Sequence, residues 1–360
     1  FGRAGTYPEP RLKLHSYKVV ARSIRRGSLG FAESYLGGEI DCDDLVGLFR
    51  FFLRNRRSFS SAGRGLFRVR AADRIAHLRR RNSRAGSRRN IAEHYDLGNS
   101  FYRLWLDESM TYSSGYFAAG ARSLEEAQAA KYRLLDDMLD LKSGHSVLEV
   151  GCGWGGFALQ AARDKGAQVS AITLSREQLT HARSLANAAG VSDRCALRLE
   201  DYRDVSGTYD RVVSIEMIEA VGEESWPVYF RMLHDRLKPG GAAVIQAITI
   251  DDAQFDRYRR KTDFIQRYIF PGGMLPTKAV LAAQGARAGL RLSRATGFGN
   301  CYARTLAEWR QRFHANWPCI ERLGFDESFR RRWDYYLAYC EAGFAAGCID
   351  VSLFRFEKPA

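Results

Sequence analysis

The feature that most constrains the fold is a glycine-rich turn between an apolar strand pattern and a helical pattern. The stretch VLEVGCGWGGFALQAA, residues 147–162, places Gly151, Gly153 and Gly156 in G-x-G-x-x-G spacing. Glycines in such a turn permit tight backbone geometry and let a ligand approach the start of the following helix. Three spaced glycines are a weak motif alone, so the rest of the chain has to decide the ligand.

Strand and helix patterns alternate after this turn. Strands are predicted at SVLEVG, QVSAIT, CALRLEDYRD, YDRVVSIEM and GGAAVIQAITI, and helices at WGGFALQAARDKG and SREQLTHARSLANAAG. Such alternation is typical of a parallel, doubly wound sheet. Two further strand patterns, GLRLSRATGF and IDVSLFRFEK, flank an aromatic helical stretch at 302–345. The pattern predicts an α/β fold with the seven-stranded, Rossmann-like sheet of a class I methyltransferase, and it fits a dinucleotide dehydrogenase less well.

The residues around the turn argue against a dinucleotide. A dinucleotide site needs an acidic residue about 20 positions after the glycines to bind the ribose. The second strand ends instead in AITLSREQ, with Thr173, Ser175 and Gln178 and no carboxylate in that place. Glu149, just before the glycines, would repel a pyrophosphate and favour a cationic ligand. S-adenosylmethionine (SAM) carries a sulfonium and an ammonium but no phosphate, so SAM is the predicted ligand.

The third strand adds two candidates to this site. Asp201 is placed to accept from an adenine amino group, and Tyr202 to pack on the base. The prediction depends on the ordered set of Glu149, the glycines, Gln178 and Asp201 rather than on any one residue. The predicted SAM-binding residues are Tyr112, Ser113, Glu149, Gly151, Gly153, Trp154, Gly155, Thr173, Ser175, Gln178, Asp201 and Tyr202.

The positive charge is concentrated at the start of the chain. Within a net charge of +14, residues 1–90 hold 21 Lys and Arg against 7 Asp and Glu, whereas residues 91–360 hold 34 of each. We expect a small mixed N-terminal domain at 1–76, a basic linker, HLRRRNSRAGSRRN, at 77–90, and the α/β domain at 91–360. The asymmetry points to an anionic partner, either membrane phospholipid or nucleic acid, or else to a solvated charged surface.

Cysteine usage and hydropathy set the compartment that we expect. Seven scattered cysteines form no C-x-x-C pair, which suits a reducing cytosol and argues against a disulfide framework and a structural zinc site. We predict no metal. No run of 18 apolar residues exists, and no secretory signal is visible. The chain begins at Phe1, so a targeting segment upstream stays open.

Several segments together resemble the cyclopropane fatty acid synthase family of SAM-dependent methyltransferases. The resemblance covers essentially all of residues 90–360, and GSLGFAESYLGGE at 27–39 also looks like the N-terminal domain of the phospholipid-acting synthases. The segments that carry it are HYDLGNSFYRLWLDESMTYSSGYF (94–117), LEEAQAAK (124–131), VLEVGCGWGG (147–156), SIEMIEAVG (214–222), YIFPGGMLP (268–276) and YYLAYCEAGF (335–344).

The resemblance implies methylene transfer from SAM to the cis double bond of an acyl chain in a membrane phospholipid. In this family a bound bicarbonate is thought to take the proton from the carbocation that results. Aromatic residues of 251–277 and 302–345 are expected to build a dry acyl pocket that shields the cation. A cytoplasmic enzyme bound peripherally to an anionic membrane follows, and the basic start of the chain suits it. No nucleic-acid motif is present, so nucleic acid is not expected as a partner.

The bicarbonate site is carried over from the family by motif. Glu219 in EMIEAVG matches the carboxylate that holds bicarbonate, Tyr302 in FGNCYARTL matches the tyrosine, and the backbone at Ile248 matches the peptide contact. These residues are the predicted catalytic group, and Glu219→Gln is expected to abolish turnover while SAM still binds.

Three positions depart from the family pattern. Ser114 stands where the usual cysteine is, Ala220 replaces a histidine, and Gln246 replaces the histidine of the fifth strand. Ser114 and Gln246 can still hydrogen-bond an oxyanion, so they join the predicted catalytic group. The pattern looks closer to relatives that methylate the chain without closing a ring, giving methylene-branched, methyl-branched or furan fatty acids, often with a reductase partner.

The sequence leaves several alternatives open. A cyclopropane-forming synthase acting on phospholipid is the first prediction, and acyl-chain methylation without ring closure is the second. A small-molecule N-methyltransferase and a SAM-binding protein without catalysis are further alternatives, which the lipid-type N-terminal domain and the retained Glu219 and Tyr302 argue against. A homo-oligomer also stays open.

Overall fold

The structure is a computed structural model, and it describes residues 9–55, residue 86 and residues 97–360. The strands are β1 (Leu12–Leu14), β2 (Ile40–Cys42), β3 (Ser146–Val150), β4 (Gln168–Thr173), β5 (Cys195–Leu199), β6 (Tyr209–Ile215), β7 (Leu237–Ile250), β8 (Arg291–Gly297) and β9 (Ile349–Glu357). The helices are α1 (Lys18–Arg26), α2 (Ser28–Leu36), α3 (Leu45–Arg54), α4 (Asn99–Tyr102), α5 (Leu124–Leu139), α6 (Gly156–Lys165), α7 (Arg176–Ala188), α8 (Trp226–Arg236), α9 (Asp252–Arg259), α10 (Phe264–Tyr268), α11 (Lys278–Arg287), α12 (Gly299–Ala315), α13 (Trp317–Arg322) and α14 (Glu327–Ala345).

Seven of the described strands form one sheet in the order β5-β4-β3-β6-β7-β9-β8. Strands β3 to β7 are parallel, and β9 runs antiparallel to both β7 and β8. The predicted seven-stranded α/β fold is therefore confirmed. From β3 the chain builds outward to β4 and β5, then returns to the other side of β3 for β6 and β7. Ligands bind at such a reversal, beyond the carboxyl ends of the central strands.

The central strands are buried on both faces, which explains why their sequences are continuous apolar runs. Val147 and Val213 belong to the hydrophobic core on one side of the sheet, and Leu148 and Val212 belong to the core on the other. Successive side chains alternate between the two cores because strand residues point to opposite faces. The sheet is thus a rigid layer that fixes the strand ends where the predicted ligands lie.

Helix α5 lies outside the sheet and contributes side chains to the region at the strand ends. Ser123 caps its start, with Oγ accepting from the backbone N–H of Glu126 at 3.2 Å, and the Glu126 carboxylate accepts from Arg122 N–H at 2.7 Å. These contacts satisfy backbone donors that a helix start leaves unpaired. The buried face of α5 carries Gln128 and Lys131, both fully covered, toward the strand ends.

The N-terminal unit of residues 9–55 packs directly on α14. Phe49 contacts Tyr335 edge-on at 4.9 Å, and Tyr35 Oη donates to the Asp334 carboxylate at 3.0 Å. Apolar residues of this unit belong to the same hydrophobic core as those of the α/β domain. The predicted domain limit at 76 lies outside the described residues, as does the basic linker of 77–90 apart from residue 86. Among the described residues, no helix is long and apolar enough to cross a membrane.

Candidate active site

The glycine turn follows β3 and leads into α6. Gly151, Gly153 and Gly155 have φ of +82°, +55° and +91°, a conformation that side chains disfavour. A Cβ at Gly151 would also lie 2.9 Å from Cγ of Met217, which is closer than carbon atoms approach. The turn therefore keeps a bare backbone at the reversal point of the sheet, as the sequence predicted.

Glu149 is the residue before the last of β3 and lies two positions before Gly151. It is 2% exposed, and its Oε2 has no hydrogen-bond partner in the part of the chain that the structure describes. Burial raises the pKa of Glu149 to about 8, opposed by the Ala158 amide and the charge of Lys131. A buried acceptor without a partner is costly unless a ligand supplies a donor or a positive charge. The residues present thus fit the cationic SAM predicted here.

The end of β4 brings three predicted residues together. Thr173 Oγ1 donates to Gln178 Oε1 at 2.8 Å and accepts from the Ser175 amide at 3.1 Å. Ser175 also caps α7 through its Oγ, which accepts from the Gln178 N–H at 3.2 Å. All three side chains are buried beside the glycine turn, and their role in binding SAM stays a prediction.

The end of β5 holds Asp201 and Tyr202. Both carboxylate oxygens of Asp201, which is 1% exposed, accept from the Arg203 guanidinium at 2.6 and 2.8 Å. The Tyr202 ring packs against Tyr229 at 5.8 Å. Sequence reasoning missed Arg203, whose bidentate pair fixes the orientation of Asp201. The contacts of Asp201 and Tyr202 with adenine stay predictions.

Trp154, a residue of the glycine turn, is buried against α4. It is 3% exposed, its ring contacts Tyr102 at 5.0 Å, and its Nε1 donates to Asn99 Oδ1 at 2.6 Å. These contacts tie the turn to the short helix α4. In this structure Trp154 supports the turn, and its predicted contact with SAM is untested.

The loop before α5 carries Tyr112 and Ser113 into the site. Tyr112 Oη is 2.9 Å from Tyr336 Oη, and Ser113 Oγ accepts from the Lys131 ammonium at 2.6 Å. Burial lowers the pKa of Lys131 to about 8, although nearby carboxylates, with Glu216 foremost, oppose the shift. Lys131 therefore places one positive charge near three acids, Glu216, Asp107 and Glu149.

Glu216 is the residue on which the predicted catalytic group converges. Its Oε1 accepts from the Ser114 amide at 2.9 Å and from Gln246 Nε2 at 2.7 Å, and its Oε2 accepts from Tyr302 Oη at 2.6 Å. The Ser114 hydroxyl, expected to bind an oxyanion, donates instead to Gly115 O at 3.0 Å. Three of the residues assigned to a bicarbonate thus hold a carboxylate of the protein itself.

The backbone at Glu216 is strained. Its φ is +48°, in the left-handed region that a residue with a long side chain rarely adopts. The strain turns the chain at the end of β6, where the Glu216 amide donates to Gln246 O at 2.9 Å. Strain of this kind costs about 1–3 kcal/mol and tends to lie at functional sites.

Glu219 and Ile248 form a separate contact nearby. Glu219 Oε1 accepts from the Ile248 amide at 2.6 Å, and its Oε2 is buried without a partner among the described residues. Burial, with the charge of Glu216 next, raises the pKa of Glu219 to about 8. Burial also raises the pKa of Glu216, but Tyr302 and its other donors oppose that shift. At neutral pH Glu219 is therefore mainly protonated, whereas the donors around Glu216 and the charge of Lys131 favour the ionised form of Glu216.

Aromatic rings enclose this pair of carboxylates. Tyr302 stacks on Phe344 with ring centroids 4.4 Å apart, and Tyr112 contacts Trp309 at 5.3 Å and Phe270 at 6.5 Å. Phe270, Trp309 and Phe344 come from the two aromatic segments that the sequence proposed for an acyl pocket. The ring faces suit a cation that must be kept from water.

Sequence reasoning missed Glu216 and Lys131, although both lie in motifs it quoted. Glu216 directly follows β6 in SIEMIEAVG, just after the buried residues Val212, Val213 and Ser214, and is itself only partly exposed. Lys131 falls on the stripe of α5 formed by Leu124, Ala127 and Gln128, which is otherwise the face turned to the core. A charge on a buried stripe, or directly after buried strand residues, was the signal available.

The sheet order and the glycine turn define the class of protein, a class I SAM-dependent methyltransferase. A family model described as mycolic acid cyclopropane synthetase matches residues 82–354. The chain belongs to this family of SAM-dependent, lipid-modifying enzymes. The resemblance seen in the sequence, and the prediction of a SAM-dependent C-methyltransferase, are thereby confirmed.

Two curated relatives and one solved structure illustrate the similarity. Tuberculostearic acid methyltransferase UfaA1 of Mycobacterium tuberculosis is 42% identical over 355 residues, covering 95% of this chain and 82% of the relative. Cyclopropane-fatty-acyl-phospholipid synthase of Escherichia coli K12 is 35% identical over 344 residues, covering 94% and 85%. The crystal structure of mycolic acid cyclopropane synthase CmaA1 complexed with SAH and CTAB gives a TM-score of 0.71 at 31% identity, covering 75% of this chain and 98% of that one.

Proposed function

We propose that this enzyme methylates the double bond of an unsaturated acyl chain in a membrane phospholipid, with Glu216 rather than bicarbonate as the proton acceptor. The observation that carries the proposal is the set of three hydrogen bonds from Ser114, Gln246 and Tyr302 to the Glu216 carboxylate. Those donors are the residues that the family resemblance assigns to bicarbonate. A carboxylate of the chain makes a bound carboxylate-like ion unnecessary.

The chemistry needs a base beside a cation. SAM, when bound, supplies an electrophilic methyl group on its sulfonium. The alkene forms a new C–C bond to that carbon while the methyl–sulfur bond breaks, its electron pair stays on sulfur and S-adenosylhomocysteine leaves, and one carbon of the former double bond becomes cationic. A hydride from the methyl-bearing carbon then moves to the cationic carbon, and the Glu216 carboxylate takes a proton from the methyl group. The acyl chain is left with a C=CH₂ branch.

The neighbours of Glu216 keep it ready for this step. Tyr302, Gln246 and the Ser114 amide hold both carboxylate oxygens, so the base is oriented before the lipid arrives. Lys131 adds a positive charge that favours the ionised form of Glu216. The surrounding rings exclude water, which would otherwise capture the cation.

A branched product without a ring is the proposal, and ring closure is the second candidate. The intrinsic carboxylate supports the first, together with the 42% identity to a tuberculostearic acid methyltransferase. The contact between Glu219 and the Ile248 amide favours the second, because both residues fit the bicarbonate pattern of the cyclopropane synthases. A methylene-branched product would need a reductase partner to give a saturated methyl branch.

We further propose a cytoplasmic enzyme bound peripherally to an anionic membrane. The charge excess lies entirely in residues 1–90, and each basic residue near such a surface contributes about 1 kcal/mol. An acyl chain has to leave the bilayer to reach a buried carboxylate, so the enzyme has to dock at the lipid surface first. Binding is expected to weaken as salt rises.

The test is the lipid product made from SAM and vesicles bearing one defined cis-unsaturated chain, with bicarbonate removed from the buffer. Proton NMR distinguishes the isomeric products, since a cyclopropane gives strongly upfield methylene signals and a methylene branch gives vinyl signals. We expect vinyl signals and a rate that does not change when bicarbonate is added back. Ring signals that appear only with bicarbonate would contradict the proposed role of Glu216.

A further inference from the structure

Exposed apolar side chains are concentrated in one short part of the N-terminal unit. Eight large hydrophobic residues are exposed in the described chain, and five of them lie between residues 12 and 24. These five residues, here called the α1 surface, are Leu12, Leu14, Tyr17, Val20 and Ile24, which are 42%, 53%, 87%, 51% and 45% exposed. Scattered surface hydrophobics are ordinary, but a cluster of this kind marks an interaction site.

The geometry of α1 turns this apolar face outward. Tyr17, Val20 and Ile24 are spaced by three and four residues, so they lie on one side of the helix. Val19, 5% exposed, lies on the other side and anchors the helix to the protein core. The helix is therefore attached by one face and presents a second apolar face to solvent.

Basic residues surround the α1 surface. Those exposed on β1, on α1 and just before β1 are Arg11, Lys13, Lys18, Arg22 and Arg25. Three carboxylates of the unit are held in ion pairs: Glu33 pairs with Arg26, Glu39 with Arg22, and Asp41 with Arg331. An apolar face with exposed basic residues beside it is the pattern of a helix that lies in the headgroup region of an anionic bilayer.

The α1 surface is linked to the proposed acyl pocket by a short chain of contacts. Arg26, the last residue of α1, pairs with Glu33 on α2, and Glu33 accepts from Tyr268 Oη at 2.6 Å. Tyr268 ends α10, and two residues later Phe270 contacts Tyr112 at 6.5 Å. A bilayer held against α1 would thus lie beside the segment that leads into the aromatic enclosure.

We propose that the α1 surface is where the enzyme docks on an anionic phospholipid bilayer, with Tyr17, Val20 and Ile24 inserted at the boundary of headgroups and acyl chains. The inference rests on the proposed function, which requires a lipid surface but does not say which face of the protein meets it. Charge complementarity and the link to the pocket favour the bilayer over a second copy of the chain, because a copy would bring the same positive charge.

The test measures binding of the full-length chain to vesicles of phosphatidylcholine with about one third phosphatidylglycerol. The apolar variant is Val20→Ser with Ile24→Ser, and the charge variant is Lys18→Gln with Arg25→Gln. The matched control is Val228→Ser with Leu323→Ser, at positions 49% and 48% exposed elsewhere on the protein. We expect the apolar variant to bind at least about tenfold more weakly at low and high salt, the charge variant to lose about tenfold only at low salt, and the control to bind as the parent does.

A second measurement separates this inference from the proposed function. Methyl transfer is also measured with the same lipid dispersed in neutral detergent micelles, where no bilayer has to be found. We expect all three variants to match the parent there, which also shows that they fold and bind SAM. Equal vesicle binding by the apolar variant and the parent, or a change in oligomeric mass without a change in vesicle binding, overturns the docking surface. A parent that methylates no lipid in either form would instead overturn the proposed function.

Discussion

The two halves of the active site are built in different ways. On the SAM side, Thr173 and Gln178 contact each other across five positions of the sequence. On the acceptor side, Glu216 is held by Ser114, Gln246 and Tyr302, which are 102, 30 and 86 positions away. The SAM half is formed by residues that are close in sequence, whereas the acceptor half forms only when distant segments fold together.

The difference explains why the departures from the family pattern all fall in the acceptor half. A tight turn at a cofactor depends on backbone conformation, and few residues other than glycine provide it at positive φ. A carboxylate needs only donors at the right distance, and an amide, a glutamine or a phenol all supply one. Under the proposed function, replacing a cysteine and a histidine is therefore tolerated, because an internal glutamate takes over as the acceptor.

The largest effect that separates the two halves is expected from Glu216→Gln. Without the carboxylate there is no group to take the proton, so turnover should fall about a thousandfold, the usual range for a general base. SAM affinity should change less than threefold or so, because Glu216 belongs to the acceptor half. Single-turnover kinetics and calorimetric titration with SAM measure the two effects on the same preparation.

Glu219→Gln is the matched control for that experiment. Glu219 is mainly protonated at neutral pH, and glutamine resembles a protonated acid, so we expect a loss of about tenfold or less. This differs from the expectation that the sequence motif alone gives, in which Glu219→Gln abolishes turnover. A complete loss in Glu219→Gln, with Glu216→Gln still active, would return the catalytic role to Glu219.

A smaller effect, confined to the SAM half, is expected from Glu149→Gln. The pKa of Glu149 is raised to about 8 in the free protein, and a bound cation favours its ionised form, so binding at neutral pH should release a proton. SAM affinity should then rise with pH up to about 8. The variant should bind SAM about tenfold more weakly and release no proton, as titrations in two buffers of different ionisation enthalpy show.

Glu177→Gln is the control for this prediction, since Glu177 is exposed in the first turn of α7. It should bind SAM as the parent does. If Glu149→Gln releases as many protons as the parent on binding SAM, the Glu149 carboxylate does not face the bound cation. The proposed electrostatic role of Glu149 in the SAM half would then be wrong.

An effect of similar size, confined to the acceptor half, is expected from Tyr302→Phe. Loss of the phenol removes one donor that lowers the pKa of Glu216, so that pKa rises. Since the base works only when ionised, the acid limb of the pH–rate profile should move to higher pH, and kcat at neutral pH should fall about tenfold. A profile that keeps its acid limb while the rate falls would show that Tyr302 only packs against Phe344.

Much of the fold follows from local patterns. The predicted strands at 146–151 and 168–173 match β3 and β4 closely, because buried parallel strands need continuous apolar runs. The strand expected at 195–204 ends at Leu199, where the chain leaves the sheet so that Asp201 can meet Arg203. The predicted start of the last parallel strand was wrong. The pattern placed it at the two glycines of GGAAVIQAITI, but β7 begins earlier, at Leu237.

By itself the sequence determined the class of the sheet, the glycine turn, and the set of polar residues at the strand ends, because these depend on contacts between near neighbours and on backbone geometry. Only the tertiary structure decided which carboxylate the distant donors serve. Glu216 and Glu219 are three positions apart in one motif, and no local rule distinguishes them. The strained turn at Glu216 and the register of β6 against β7 direct one toward Tyr302 and Gln246 and the other toward the Ile248 amide. Long-range packing determines which donors reach each carboxylate, because it sets distances between residues that their spacing along the chain does not determine.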